Sequence, residues 1–317
     1  MRFIVPLMAL LFSAGPAFAG DRTVTDDAGR QVAVPDRPQR IVVMHEPLLG
    51  VPLIELGVPV VGSYGRNDDG SFVTATDFID VVLGEGHAKP KGIGPVGQID
   101  LEKLRALAPD LIVGSELDIG KVPQLETVAP VYLQNAGKGR AYGFDVEEKL
   151  AGLVGRQEAF EALRTAYSRR LAHVRAALPS DPAGQTYLAV FLTDQINVVW
   201  DMSGAVQALE DIGYVRLKLD GDGSGSTLGS TLMVPVSAET FGQLDPDLLV
   251  VMNSYAGTTR GETETRAALD RIVPGWDRFV RAAREERLVF VDSAKVTTPT
   301  VASAMHMLDA LEAWSNR

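Results

Sequence analysis

RIVVMHEPLLGVPLIELGVPVVG, residues 40–62, decides the fold. RIVVM (40–44) is a short continuous apolar run, suited to a strand buried on both faces. PLLGVPLIELG (47–57) carries its apolar residues at helical spacing and ends on Gly57, a residue type that closes helices. VPVVGSY (58–64) is a second buried strand. Strand, helix and strand in such quick succession predict a βαβ unit with its two strands parallel.

The same alternation extends in both directions. Upstream, Val24–Pro35 alternates apolar and polar residues around Asp27-Ala28-Gly29, which predicts a β-hairpin. Downstream, DLEKLRALAP (100–109) opens on an Asp in N-cap position and closes on Pro109; strands DLIVGSE (110–116) and PVYLQN (130–135) follow. Residues 145–178 contain no proline. Leu150, Leu153, Val154, Phe160, Leu163, Tyr167, Leu171 and Val174 fall at helical spacing there. Gly152 and Gly155 mark a break, so one long helix is expected over 157–178, stopped by Leu178-Pro179-Ser180-Asp181-Pro182.

Beyond it the pattern restarts. TYLAVFL (186–192) and INVVW (196–200) read as strands joined through Thr193–Gln195. AVQALEDIG (205–213) and SAETFGQLDP (237–246), the latter capped by Ser237, read as helices. DLLVVM (247–252) and RLVFVD (287–292) are strands, and TPTVASAMHMLDALEAWSN (298–316) is a terminal helix. GDGSGSTLGS (221–230) is a loop. LEKLRALAPDLIVGS (101–115) and AETFGQLDPDLLVVMNS (238–254) follow one plan: an acidic helix start, a proline, then Asp-Leu and a buried strand. The expected fold class is therefore α/β: two α/β lobes with mostly parallel sheets, linked by a single long helix.

Composition bounds the function. MRFIVPLMALLFSAGPAFA (1–19) joins one positive charge to an apolar run and ends Ala17-Phe18-Ala19, the pattern of a cleavable secretory signal peptide. Residue 20 is Gly and the chain has no Cys, which removes a lipid-anchored cysteine and any disulfide framework. With a net charge of −11, nucleic acid is a poor partner. The expected division is 1–19 signal peptide, 20–144 N-terminal lobe, 145–178 linking helix region and 179–317 C-terminal lobe.

His45-Glu46 invites a metalloprotease reading, but HExxH needs a second His at position 49, and Leu49 stands there. His87, His173 and His306 complete the histidines and are dispersed, with His173 and His306 on helices. No P-loop, GxSxG or Cys nucleophile is present. The dipeptide instead occupies a strand-to-helix corner, either as a ligand contact or as a rim residue.

Segments 40–62, 93–115, 157–178, 234–251 and 287–311, taken in order and spacing, resemble the periplasmic solute-binding proteins of ABC importers. Within that group the chain is similar to the ferric-siderophore and cobalamin binders. The resemblance implies a ligand cleft between the lobes, no enzymatic activity, a periplasmic location, a monomer, and delivery to an inner-membrane ABC permease. A ferric siderophore is the expected ligand, with haem or cobalamin as alternatives; a zinc or manganese binder and a hydrolase stand further off. No cofactor or resident metal is expected, since iron arrives inside the chelate. A large anionic chelate calls for aromatic faces and guanidinium groups, which nominates Tyr64, Arg66, Arg140, Trp200, Tyr255 and Arg260, with His45 at the cleft edge. Trp200 is equally suited to a core. A haem ligand would use His45 or Tyr64 axially. The arginine that hydroxamate-binding members carry before the DLEKL-type segment is missing from GPVGQIDLEKL. Glu102 and Glu239, in matching helix starts of the two lobes, correspond to the family's permease-docking glutamates.

Overall fold

The computed structural model describes residues 20–67, 69–72, 76–95, 98–136, 144–199, 203–218, 233–255, 257 and 260–317. A hairpin of β1 (Asp21–Thr25) and β2 (Gln31–Pro35) opens the chain. The first lobe is then built on β3 (Ile41–Val43), β4 (Val60–Ser63), β5 (Lys91–Gly92), β6 (Leu111–Ser115) and β7 (Val131–Gln134), in the order β5-β4-β3-β6-β7 and parallel throughout. The second lobe holds β8 (Thr186–Leu192), β9 (Ile196–Val199), β10 (Val215–Arg216), β11 (Met233–Val236), β12 (Leu248–Met252) and β13 (Leu288–Val291). Its order is β11-β9-β8-β12-β13, with β10 pairing the start of β8. Here β10, β12 and β13 run parallel to their neighbours, while β9 folds back from β8 as a hairpin and β11 pairs antiparallel to it.

The unbroken apolar runs become strands because helices cover the sheets: β3, β6 and β12 are buried at every residue. Helix 47–57 is expected from spacing, but two prolines reshape it. Pro47 and Pro52 lack the N–H that an unbroken helix needs, so the segment splits into one wide turn, Glu46–Gly50, and a short α-helix, Val51–Glu55.

The expected long helix runs Gln157–Ala177. It is preceded by a separate helix, Asp145–Val154, closed by Gly155 at φ 67. That left-handed cap is favourable for glycine, and the amide of Arg156 returns to the Ala151 carbonyl at 2.8 Å. The break therefore falls at Gly155, whereas Gly152 sits inside the helix.

The two lobes share apolar packing. Leu53, Leu150, Tyr167, Val174, Leu209, Met307 and Leu311 belong to one continuous buried cluster that runs from the first lobe through the long helix to the terminal helix, Val301–Ser315. Helix Gly204–Ile212 meets the terminal helix so closely that a Cβ on Gly204 would stand 2.5 Å from Cβ of Ser303. The long helix is also tied to the terminal helix by Arg170 to Asp309 at 2.6 Å and to Glu312 at 2.7 Å. Among the described residues no helix is long and apolar enough to cross a membrane.

Candidate functional site

In a parallel sheet the strands' carboxyl ends and the loops after them open a crevice. Here the ends of β3, β4 and β6 supply Met44 and His45, Tyr64 and Gly65, and Ser115. The segment after β12 brings Tyr255 from the other lobe, and Thr297 and Thr298 join it. Together with Phe72, Phe78, Leu117, Asp118 and Lys121 they enclose a cavity of ≈ 400 Å³ between the lobes.

Four aromatic rings, those of Tyr64, Phe72, Phe78 and Tyr255, stand in the walls. Phe72 meets Phe78 edge-on at 6.2 Å, Phe78 meets Tyr255 at 5.4 Å, and Tyr255 meets Phe191 at 5.2 Å, so a file of rings crosses from lobe to lobe. Tyr64 is 8% exposed, and its hydroxyl has no hydrogen-bond partner among the described residues. A buried phenol without a partner is a costly group to retain unless something binds it. Lys121 stacks over the Tyr64 ring at 5.3 Å.

His45 closes the corner. Its Nδ1 accepts the Leu48 amide at 3.2 Å, which caps the turn Glu46–Gly50 and assigns the ring proton to Nε2. Burial lowers its pKa to about 4, against a smaller opposing pull from Asp118, so the ring is neutral at physiological pH.

Arg66 requires a correction. The sequence nominates it as a ligand-facing cation, yet its side chain is 0% exposed. Its Nε and Nη2 donate to the two oxygens of Glu46 at 2.6 Å each, and Nη1 donates to Asp77 at 3.0 Å and to the Gly70 carbonyl at 2.5 Å. The Phe72 ring lies 5.5 Å from its guanidinium carbon. The physical reason is Glu46, itself 0% exposed, whose carboxylate demands a cation. Burial pushes the Glu46 carboxyl up and Arg66 draws it back. At Asp77 burial also pushes upward, but Arg66 and Lys89 outweigh it and hold that carboxyl below its usual range. The arginine thus ties Glu46 to Gly70 and Asp77 and underlies Phe72, supporting the cavity from behind.

Arg260 stands beside the cavity rather than in its wall. Its Nη1 donates to Thr76 Oγ1 at 2.9 Å, and its Nε lies 3.7 Å from Asp292. Thr76 Oγ1 in turn donates to the Tyr255 carbonyl at 2.9 Å. These bonds join the lobes at the edge of the cleft. Arg140 and Trp200 lie outside the described residues. Glu102 and Glu239 are far more exposed, each in the first turn of a six-residue helix, Leu101–Ala106 and Ala238–Gln243. Glu102 is 86% exposed, and its carboxylate meets Arg105 at 2.7 Å.

Sequence reasoning missed Phe72, Phe78, Leu117, Asp118 and Lys121. A signal existed for two of them. In SELDIGK (115–121), Ser115 and Asp118 have the spacing of a capping box, and Asp118 indeed accepts from the Ser115 amide at 2.9 Å while holding Lys121 at 2.5 Å.

Among the described residues no three His, Cys, Asp or Glu side chains gather to hold a metal ion. A family model described as periplasmic binding protein matches residues 67–294. The ferric-anguibactin-binding protein FatB of Vibrio anguillarum is 21% identical over 287 residues, 88% of this chain and 83% of that protein. Among solved structures, holo-ViuP superposes with a TM-score of 0.71 at 19% identity, covering 92% of this chain and 93% of its own. Staphylococcus aureus SirA complexed with staphyloferrin B gives 0.69 at 18%, covering 93% and 98%. The siderophore-binding protein BauB gives 0.65 at 18%, with the same coverages. These likenesses establish the two-lobe fold. With the family model spanning most of its length, this chain belongs to the periplasmic binding protein family and is a ligand carrier, not an enzyme.

Proposed function

We propose that this chain captures a ferric siderophore in the periplasm and delivers it to an inner-membrane ABC permease. The observation that carries the reading is the interlobe cavity, with its file of aromatic rings and the unpartnered hydroxyl of Tyr64. Such a wall suits a chelate with flat aromatic or conjugated arms and exposed oxygen acceptors. The named ligands of relatives point the same way: FatB is a ferric-anguibactin-binding protein, SirA is complexed with staphyloferrin B, and BauB holds acinetobactin with ferric iron. On this reading the chain is exported through residues 1–19, acts as a monomer, and carries no cofactor of its own. Haem is disfavoured as cargo through His45, because Nε2 bears the proton while Nδ1 is engaged by the Leu48 amide.

Tyr64, His45 and Tyr255 are the proposed ligand contacts, with Arg260 beside them; Arg140 and Trp200 remain candidates by sequence. Titration of the purified protein with ferric chelates, followed by intrinsic fluorescence, is expected to give saturable sub-micromolar quenching with no product released. Tyr64→Phe removes one hydroxyl and is expected to weaken the bound chelate ~10-fold. Unchanged affinity would take Tyr64 out of the site, and no response to any ferric chelate would remove the reading.

Glu102 and Glu239 are the proposed docking pair, one per lobe, each exposed in a first helical turn where the dipole favours a carboxylate; Glu102 would exchange its exposed Arg105 partner for one on the permease. Replacing both by alanine is expected to abolish chelate uptake by cells while leaving chelate affinity intact. An equal fall in affinity would sink the docking assignment.

A further inference from the structure

Among the described residues each cation around the cavity is matched by a carboxylate. Lys121 is the one cation in its described wall, and Asp118 holds it at 2.5 Å. Glu46 is matched by Arg66 at 2.6 Å, and the Arg66 side chain has no solvent exposure. The nearby Lys89 is held by Asp77 at 3.1 Å and Asp80 at 2.5 Å. Arg260 is turned toward Thr76 and Asp292. His45 is a neutral donor through Nε2, and Tyr64 offers a neutral hydroxyl. Over longer range the whole chain carries −11, which repels anions.

An anion of high charge entering this cavity would give up its hydration without gaining an uncompensated cation among the described residues. A neutral complex loses little on entry. It gains the faces of Phe72, Phe78 and Tyr255 and the two neutral donors. We propose that the cavity selects iron(III) chelates of zero or near-zero net charge over trianionic ones. In the favoured class three monoanionic bidentate arms, hydroxamate or phenolate in type, balance the metal. In the disfavoured class three dianionic catecholates leave a charge of three. The proposal rests on the siderophore reading and narrows it to one charge class.

The test titrates the full mature protein with a neutral ferric trihydroxamate and a trianionic ferric tris-catecholate of similar size, each at low and high salt. The neutral chelate is expected to bind at least ~10-fold more tightly, with an affinity nearly independent of salt. Asp118→Asn retains an acceptor for the Ser115 amide but leaves Lys121 uncompensated, and it is expected to narrow the gap between the two chelates. Equal affinities, or tighter binding of the tris-catecholate with a steep salt dependence, would overturn the charge selection and leave the siderophore reading standing. Binding of neither chelate, in a protein whose thermal transition shows it folded, would take down both.

Discussion

Arg66→Ala is expected to cost about 3–5 kcal/mol of folding stability, the range for breaking one side of a fully buried ion pair. The substitution leaves the Glu46 carboxylate inside the protein with its two shortest donors gone, and it strips donors from Asp77 and the Gly70 carbonyl. Arg66→Lys should recover little of this, because an ammonium cannot donate in parallel to both Glu46 oxygens and still reach Asp77. Arg66→Met combined with Glu46→Gln removes both charges and should be markedly more stable than Arg66→Ala. Urea unfolding measures all three. A ligand cation at the cleft would behave in the opposite way: Arg66→Ala would fold with parental stability and lose its chelate. That outcome would restore the role the sequence assigns to Arg66.

The second large effect concerns a pair of carboxyls beneath the terminal helix. Glu55 Oε1 accepts the Ala302 amide and Glu147 Oε2 accepts the Val301 amide, each at 2.9 Å, so two glutamates from two helices cap the first turn of Val301–Ser315. Their other oxygens, Glu55 Oε2 and Glu147 Oε1, are buried with no hydrogen-bond partner among the described residues. Two carboxyls so placed are stable only if they share a proton. Burial, countered by bonds from Glu147, Ala302 and Thr300, pushes Glu55 up to about 7; burial and the Glu55 charge push Glu147 well above the usual carboxylate range.

A carboxyl whose pKa rises on folding takes up a proton as the chain folds. Stability is therefore greatest below the ordinary value of 4.5 and falls as pH climbs through about 7. Between pH 5 and pH 8 this protein should lose ~1–3 kcal/mol, or ~2–6 °C in Tm. Glu147→Gln keeps an oxygen for the Val301 amide and offers Glu55 an N–H in place of the shared proton. It should flatten the dependence and raise Tm at pH 8 above that of the parent. A parent Tm that holds level or climbs over this interval would show that the pair is ionised.

Much of the architecture is legible in the sequence because the central strands are continuous apolar runs. TYLAVFL becomes β8 at the same residues, and LLVVM becomes β12. The short helix Phe78–Leu83 and the helix Glu262–Ile272 are harder to read. FIDVVL resembles a strand as much as a helix, and ETETRAALDRI buries only Thr265 and Leu269, so its apolar stripe is thin. The site is legible in outline but not in chemistry. Strand ends point to His45 and Tyr64 because strand direction fixes where the crevice opens. The partner of Arg66, by contrast, lies 20 residues away in a different loop, and no local pattern distinguishes a guanidinium facing solvent from one facing Glu46. The missed rings, Phe72 and Phe78, come from the excursion between β4 and β5, where Arg66 also meets the Gly70 carbonyl and Asp77.

The two hydrogen bonds that meet at Thr76 bear on time rather than on affinity. Each is worth roughly 0.5–1.5 kcal/mol net. Together they favour the joined edge by about 1–3 kcal/mol, which leaves it parted roughly 1–16% of the time. On the proposed reading, and if admission requires both bonds to part, a chelate enters on only roughly 1–16% of otherwise productive encounters and escapes with the same reluctance. Because both rates fall together, the equilibrium is little altered while residence lengthens. Thr76, reaching from one lobe to the Tyr255 carbonyl and the Arg260 guanidinium of the other, ties the two lobes together at the edge of the cleft, so on the proposed reading it acts on how long a ligand stays bound.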